Sequence, residues 1–194
     1  AGEIADLAAV LKETLVRRIE TLPPGPARAP VLAKLGRIAE EQGLSDEAAQ
    51  WYEQLREVAP AGEEGLDRLE ALYEADQKWF DLITILRERA ELSLARGDTQ
   101  AEIAQLRRAA ELFEDKLGDT GQAAQMLERV LARDPENVAA LSKLSRLHEL
   151  SGQWDACLEV LGRALGLAGT RPEAADLHFH MGRVRAEGLG DPVG

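Results

Sequence analysis

The sequence predicts an all-α protein built of antiparallel helix pairs, with about ten helices. Three observations predict it. Apolar residues recur at the i, i+3, i+4, i+7 spacing of one helix face, and no segment alternates as a half-buried strand would. The apolar content, 45% of 194 residues, is mostly Ala and Leu, both strong helix formers, while aromatics are only 4%. The same helical face also returns at steps of 34 (32 to 66), 40 (66 to 106), 35 (106 to 141) and 37 (141 to 178), which is how a repeat array reads.

The elements follow in order. Glu3 to Glu20 place Leu7, Leu11 and Leu15 on one face of a helix. Leu32, Leu35, Gly36 and Ala39 then share a face, and a second helix carries Ala48, Tyr52 and Leu55 before Pro60. The next copy has Leu66, Leu69, Glu70 and Tyr73, with a long partner helix from about Trp79 to Ala95. That copy has Leu82 where the others have a small residue, and no closing proline. The third copy reads Leu106, Ala109, Ala110 and Phe113, then Ala123, Leu127, Val130 and Pro135, with one extra residue in "FEDKLGD" before its glycine. The fourth reads Leu141, Leu144, Ser145 and His148, then Cys157, Leu161, Ala164 and Gly169. A last helix, Glu173 to Glu187, carries His178, Met181, Gly182 and Arg185 at the same spacing.

Punctuation agrees with the pairs. Gly43, Gly118 and Gly152 each follow a first helix, where a left-handed residue ends it. Thr99 with Glu102 and Thr170 with Glu173 have capping-box spacing. Asp134 followed by Pro135 reads as an N-cap with proline at the first helical position. The single cysteine, Cys157, takes the slot of Ala48 and Ala123, so a packing role is expected for it. Trp79 and Trp154 sit at the starts of second helices and Trp51 precedes Tyr52, and packing between neighbouring units is expected for them.

This pattern resembles the tetratricopeptide repeat, a helix–turn–helix unit of about 34 residues. The residues that carry the resemblance are Leu35 with Gly36, the small Ala48, Ala123 and Cys157, the aromatic Tyr52, and the closing Pro60 and Pro135. The resemblance implies one array and a right-handed α-solenoid (an α-α superhelix). The expected divisions are a half-repeat at 3–22, repeats at about 29–62, 63–98, 99–136 and 137–170, and a half-repeat at 171–188. Half-units at both ends lead us to expect a fragment of a longer array, or ends that self-associate. The excess of Arg over Lys reads as the coding bias of a GC-rich bacterial genome.

Formal net charge is −12, which opposes non-specific binding to nucleic acid or anionic membranes. No apolar run is long enough to span a bilayer, no signal-peptide pattern is found, and one cysteine fits a reducing compartment, so a cytoplasmic location is expected. No catalytic, metal or cofactor constellation emerges. His148 takes the aromatic slot of Tyr73 and Phe113. His178 and His180 are two apart on a helix, whereas a zinc pair needs i, i+4. An enzyme is therefore not expected, and no cofactor is.

In the resembled family the first helices line a concave surface that holds peptides or helices. The resemblance places ten residues there: Lys34 and Arg37, Arg68 and Ala71, Arg108 and Glu111, Lys143 and Arg146, His180 and Arg183. Seven of these ten are Lys or Arg, where the overall 23 in 194 predicts about one, and Arg107 adds another basic group. One turn on runs an acidic row: Glu40 and Glu41, Glu74, Glu114 and Asp115, Glu149, and Glu187. The rows could pair within each helix, as Arg37 with Glu41 or Arg183 with Glu187, although Arg before Glu is the weaker order. The expected function is a protein-interaction scaffold whose basic row receives a peptide or helix, specifically an acidic one. The family's carboxylate clamps also use Asn, which these helices lack, Asn137 preceding the fourth. A structural, self-assembling spacer is the alternative. A helical-repeat RNA reader is opposed by the charge and the acidic row.

Overall fold

The helices form where the periodic faces predict them. The computed structural model describes residues 2–169 and 172–190. Among these are ten α-helices and no strand: α1 (Gly2–Thr21), α2 (Ala29–Glu41), α3 (Ser45–Val58), α4 (Glu63–Ala75), α5 (Trp79–Arg96), α6 (Thr99–Asp115), α7 (Thr120–Arg133), α8 (Val138–Leu150), α9 (Trp154–Ala168) and α10 (Glu173–Val184). A 3-10 turn, Pro26–Arg28, precedes α2, and a π-helical stretch, Arg185–Leu189, follows α10. The chain is an all-α helical-repeat protein. It divides after Ile85, within α5, into two units.

In the unit of residues 1–85, α2 and α3 form a helical hairpin, with α1 packed on α2 and α4 on α3. Leu15 of α1 joins Val31, Leu35 and Ile38 of α2 in one apolar cluster, against which Val16, Ile19, Leu22 and Trp51 pack. Tyr52 is fully buried with its ring against Gly36, and its hydroxyl donates to Glu40 at 3.0 Å. Burial and the Glu40 carboxylate together push the Tyr52 phenol far above its ordinary value, so it stays protonated. The Leu-Gly pair in the sequence is thus the socket for the aromatic of the second helix.

In the unit of residues 86–194, α6 with α7 and α8 with α9 form hairpins, joined by α7 on α8, while α10 packs on α9. Cys157, Leu161 and Val184 make a buried cluster covered by Trp154, Leu158, Leu177 and Met181. Cys157 is a packing residue, as its slot predicts: it is buried and free, and its Sγ–H points at the Ser145 carbonyl at 3.3 Å. Burial, and then the nearby Glu149 charge, raise its thiol pKa, with Arg183 opposing. His148 is buried too, its Nδ1–H donating to Gln153 Oε1 at 2.6 Å. Trp154 is half-buried, with Gly188 of the π-helical stretch against its indole.

Two capping expectations meet a different outcome. The cap of α6 is Asp98, whose Oδ1 accepts from the Ala101 N–H at 3.0 Å, so Thr99 is already inside the helix. Glu102, the other half of that expected box, is buried and turned toward Arg133. Asp134 closes α7 instead of opening α8. The α8 cap is Asn137, whose Oδ1 accepts from the Ala140 N–H at 3.0 Å while its Nδ2 donates to Asp134 at 2.9 Å. The expected cap at Thr170 lies outside the described residues.

Gly43, Gly118 and Gly152 take the expected positive φ after first helices, at 72°, 65° and 67°. Following α4 the same position is held by Gln77, at φ 57°. A side chain in that region is disfavoured by about 1 kcal/mol. Gln77→Gly is therefore expected to raise stability by about 0.5–1 kcal/mol, part of the relief being offset by the greater freedom of unfolded glycine. Thermal melts of the two proteins check this, and an unchanged or lower midpoint would refute it.

Candidate functional groove

The basic residues expected on the first helices fall in both units. In the 1–85 unit, Lys34, Arg37 and Arg68 are all exposed. Arg37 donates to the Ala33 carbonyl at 3.3 Å and reaches Glu64 of α4 at 3.5 Å. Arg68 lies 3.6 Å from Glu40 of α2. A small cavity of about 350 Å³ opens beside Ala33 and Arg37, lined also by Leu55, Ala59 and Glu64.

In the 86–194 unit, Arg107 is exposed and Arg108 half-buried. Lys143 donates to Glu111 at 2.9 Å, and Arg146 pairs with Glu114. His180 Nε2 donates to Glu149 at 2.8 Å, and Arg183 reaches the other oxygen of the same carboxylate at 2.6 Å. These partners are separated by 31 to 34 residues. Each of these four basic groups thus reaches a carboxylate of the preceding first helix, as Arg68 does, while Arg37 reaches forward to Glu64 of the next one. The pairs expected within one helix, Arg37 with Glu41 and Arg183 with Glu187, give way to this ladder between repeats: Arg37 turns to Glu64 and Arg183 to Glu149. Stacked first helices bring carboxylates of neighbouring repeats closer to the guanidinium than the next turn of its own helix.

Four of these residues converge. Lys143, Arg146, His180 and Arg183 line one cavity of about 650 Å³ among α8, α9 and α10, within the usual size range of ligand pockets. Its floor is aliphatic, from Leu141, Leu161, Ala164, Ala168 and Leu177. Glu149 also lines it, and Glu173 and Asp176 reach it from the first turn of α10. The arginine heads keep access to water: the Arg146 side chain is 57% exposed, though its partner Glu114 is only 13%. Chemically this is a cleft that can bury an aliphatic side chain and offer charged hydrogen bonds around it. Sequence reasoning missed the floor and the two α10 carboxylates, because three separate helices assemble them. Among the described residues, no group of three or more His, Cys, Asp or Glu could hold a metal ion. No helix among them is long and apolar enough to cross a membrane.

Comparison with known proteins places the chain. No curated protein matches it. Among solved structures, a Podosopora anserina protein assigned as a kinesin light chain, with nearly identical TPR-like repeats, is 18% identical at a TM-score of 0.46, over 88% of this chain and 90% of that one. MamA (41-end) from Desulfovibrio magneticus RS-1 is 17% identical at 0.46, over 84% of this chain and 86% of that one. Family models described as "Tetratricopeptide repeat" match residues 31–64, 89–137 and 116–179, together more than half of the sequence. With helix pairs in the matching register and Gly36 seating Tyr52, the chain belongs to the tetratricopeptide repeat family.

Proposed function

We propose that the chain is a protein-interaction scaffold without catalytic activity, and that the cleft among α8, α9 and α10 seats a short peptide or helix bearing carboxylates. The observation that carries this reading is the aliphatic floor rimmed by Lys143, Arg146 and Arg183. Burying one Leu- or Val-sized side chain there would contribute about 1.5–3 kcal/mol before the cost of ordering the peptide. The rim supplies orientation. A guanidinium has five N–H donors, and the single bonds from Arg146 to Glu114 and from Arg183 to Glu149 leave others for an incoming carboxylate. Because each base already has a partner, the gain per added carboxylate is small, and specificity comes from several acting together.

The test is selection of short peptides from a random display library on the folded chain. Enriched peptides are expected to combine an aliphatic residue with Asp or Glu, and to bind less well as salt rises. Ser142→Trp, on the exposed lip of the cavity, is expected to block them without touching the core. The Lys143→Gln, Arg146→Gln, Arg183→Gln variant is expected to lose the acidic preference. Peptides that ignore both changes would refute the reading.

A second reading, self-association, is favoured by α1, where Leu7 is 70% and Val10 62% exposed beside the half-exposed Leu11. Light scattering over a dilution series decides it: a mass that rises with concentration supports the reading, and a constant monomer mass removes it.

A further inference from the structure

We infer that the cleft reads charge order along its occupant: a basic side chain over Glu173 and Asp176, an aliphatic one in the floor, and an acidic one toward Arg146 and Arg183. This rests on the peptide-binding reading above and deepens it, naming the occupant as a segment of another protein with a basic–aliphatic–acidic pattern.

The cleft has two chemically different ends. Glu149 of α8 binds both His180 and Arg183, so the C-terminal ends of α8 and α10 lie side by side. The opposite end of the cavity therefore holds Val138 and Leu141 of α8 with Glu173 and Asp176 of α10. Charge compensation also differs between the ends. Lys143, Arg146 and Arg183 each have a carboxylate partner. Glu173 and Asp176 have no ion pair or hydrogen-bonded partner among the described residues. Among the described residues, the charges at this cavity without a paired side chain are therefore negative and lie at one end. Two carboxylates three residues apart share a helix face, and one cation placed over them relieves their mutual repulsion.

The spacing of the two ends sets the spacing in the occupant. Arg183 lies seven positions beyond Asp176 in α10, roughly 10 Å of helix rise. That distance matches about three residues of extended chain or about seven of a helix. A basic and an acidic residue at one of these separations, with an aliphatic residue between them, fit both ends at once.

The experiment uses synthetic peptides taken from the display selection and versions with the basic and acidic residues exchanged, titrated by fluorescence anisotropy. The exchanged peptide is expected to bind wild type about tenfold more weakly, the scale of two partly exposed pairs. Glu173→Gln with Asp176→Asn is expected to abolish that difference, while leaving unchanged the affinity of a peptide that has no basic residue. That control separates charge reading from fraying of α10, whose N-terminus the two carboxylates also favour. If the exchanged peptide binds wild type equally well, yet Ser142→Trp still blocks both, charge order is refuted and the carboxylates serve only α10. If Ser142→Trp blocks neither peptide, the cleft reading itself fails and the inference falls with it.

Discussion

Gly36→Ala is expected to lower the stability of the chain by about 2 kcal/mol, although the same change in most helices raises it by up to about 1 kcal/mol. A Cβ at this position would meet Cζ, Cε1 and Cε2 of Tyr52 at 2.5, 2.6 and 2.9 Å, about 1 Å inside normal carbon contact. The ring has no easy escape, since Tyr52 is fully buried and its hydroxyl is held by Glu40. The helix hairpin must open or the tyrosine must leave its rotamer. Two controls make the cause testable in urea unfolding. In a Tyr52→Leu background, Gly36→Ala should be neutral or favourable, because the ring end is gone. Gly182, in the matching position of α10, has nothing within 4 Å of an added Cβ, and Gly182→Ala should stabilise by about 0.5–1 kcal/mol. A stabilising Gly36→Ala would show that Tyr52 yields freely, and the socket account would be abandoned.

Periodicity made the helices legible, because each buries one continuous stripe against its neighbours and only an i, i+3, i+4, i+7 pattern can do so. Gly36 and Tyr52 were each legible as members of the repeat pattern, but their contact was not, because it depends on how α2 and α3 pack across their short connection. Caps were less legible. At Asp98–Thr99 and again between Asp134 and Asn137, two competent acceptors lie close together, and the path of the preceding loop decides which meets the free N–H groups. Gln77 carried no signal at all, since only its φ reveals that it holds a glycine position.

The candidate groove was half legible. The surplus of Lys and Arg at the first-helix positions marked by the family resemblance is a property of single helices and can be counted in the sequence. Their partners cannot. Lys143 with Glu111 and Arg183 with Glu149 depend on how successive helices stack, and within-helix spacing rules say nothing about that register. The aliphatic floor depends on it too, as Leu141, Leu161 and Leu177 each belong to a different helix.

Arg133→Ala is the second large expected effect, and it tests the one carboxylate that is buried outright among the described residues. The Glu102 side chain is 3% exposed, and its Oε1 accepts from Arg133 Nε at 3.1 Å across the α6–α7 hairpin. Removing one partner of a fully buried pair costs about 3–5 kcal/mol, because the remaining charge has lost both water and counter-ion. The Arg133 side chain is 40% exposed, so water can replace part of the lost interaction and the expected cost falls to about 2 kcal/mol. The two halves of the pair should behave unequally. Glu102→Met leaves an arginine that can turn to solvent and loses mainly the favourable placement of a carboxylate in the first turn of α6, about 0.5 kcal/mol. In the Arg133→Ala background, Glu102→Met should then recover most of the lost stability, since no uncompensated charge is left inside. Urea unfolding of the wild type, both single variants and the double variant gives the cycle directly. Equal losses in the two single variants with no recovery in the double would mean that Glu102 is hydrated in solution, and that packing, not charge, holds this hairpin.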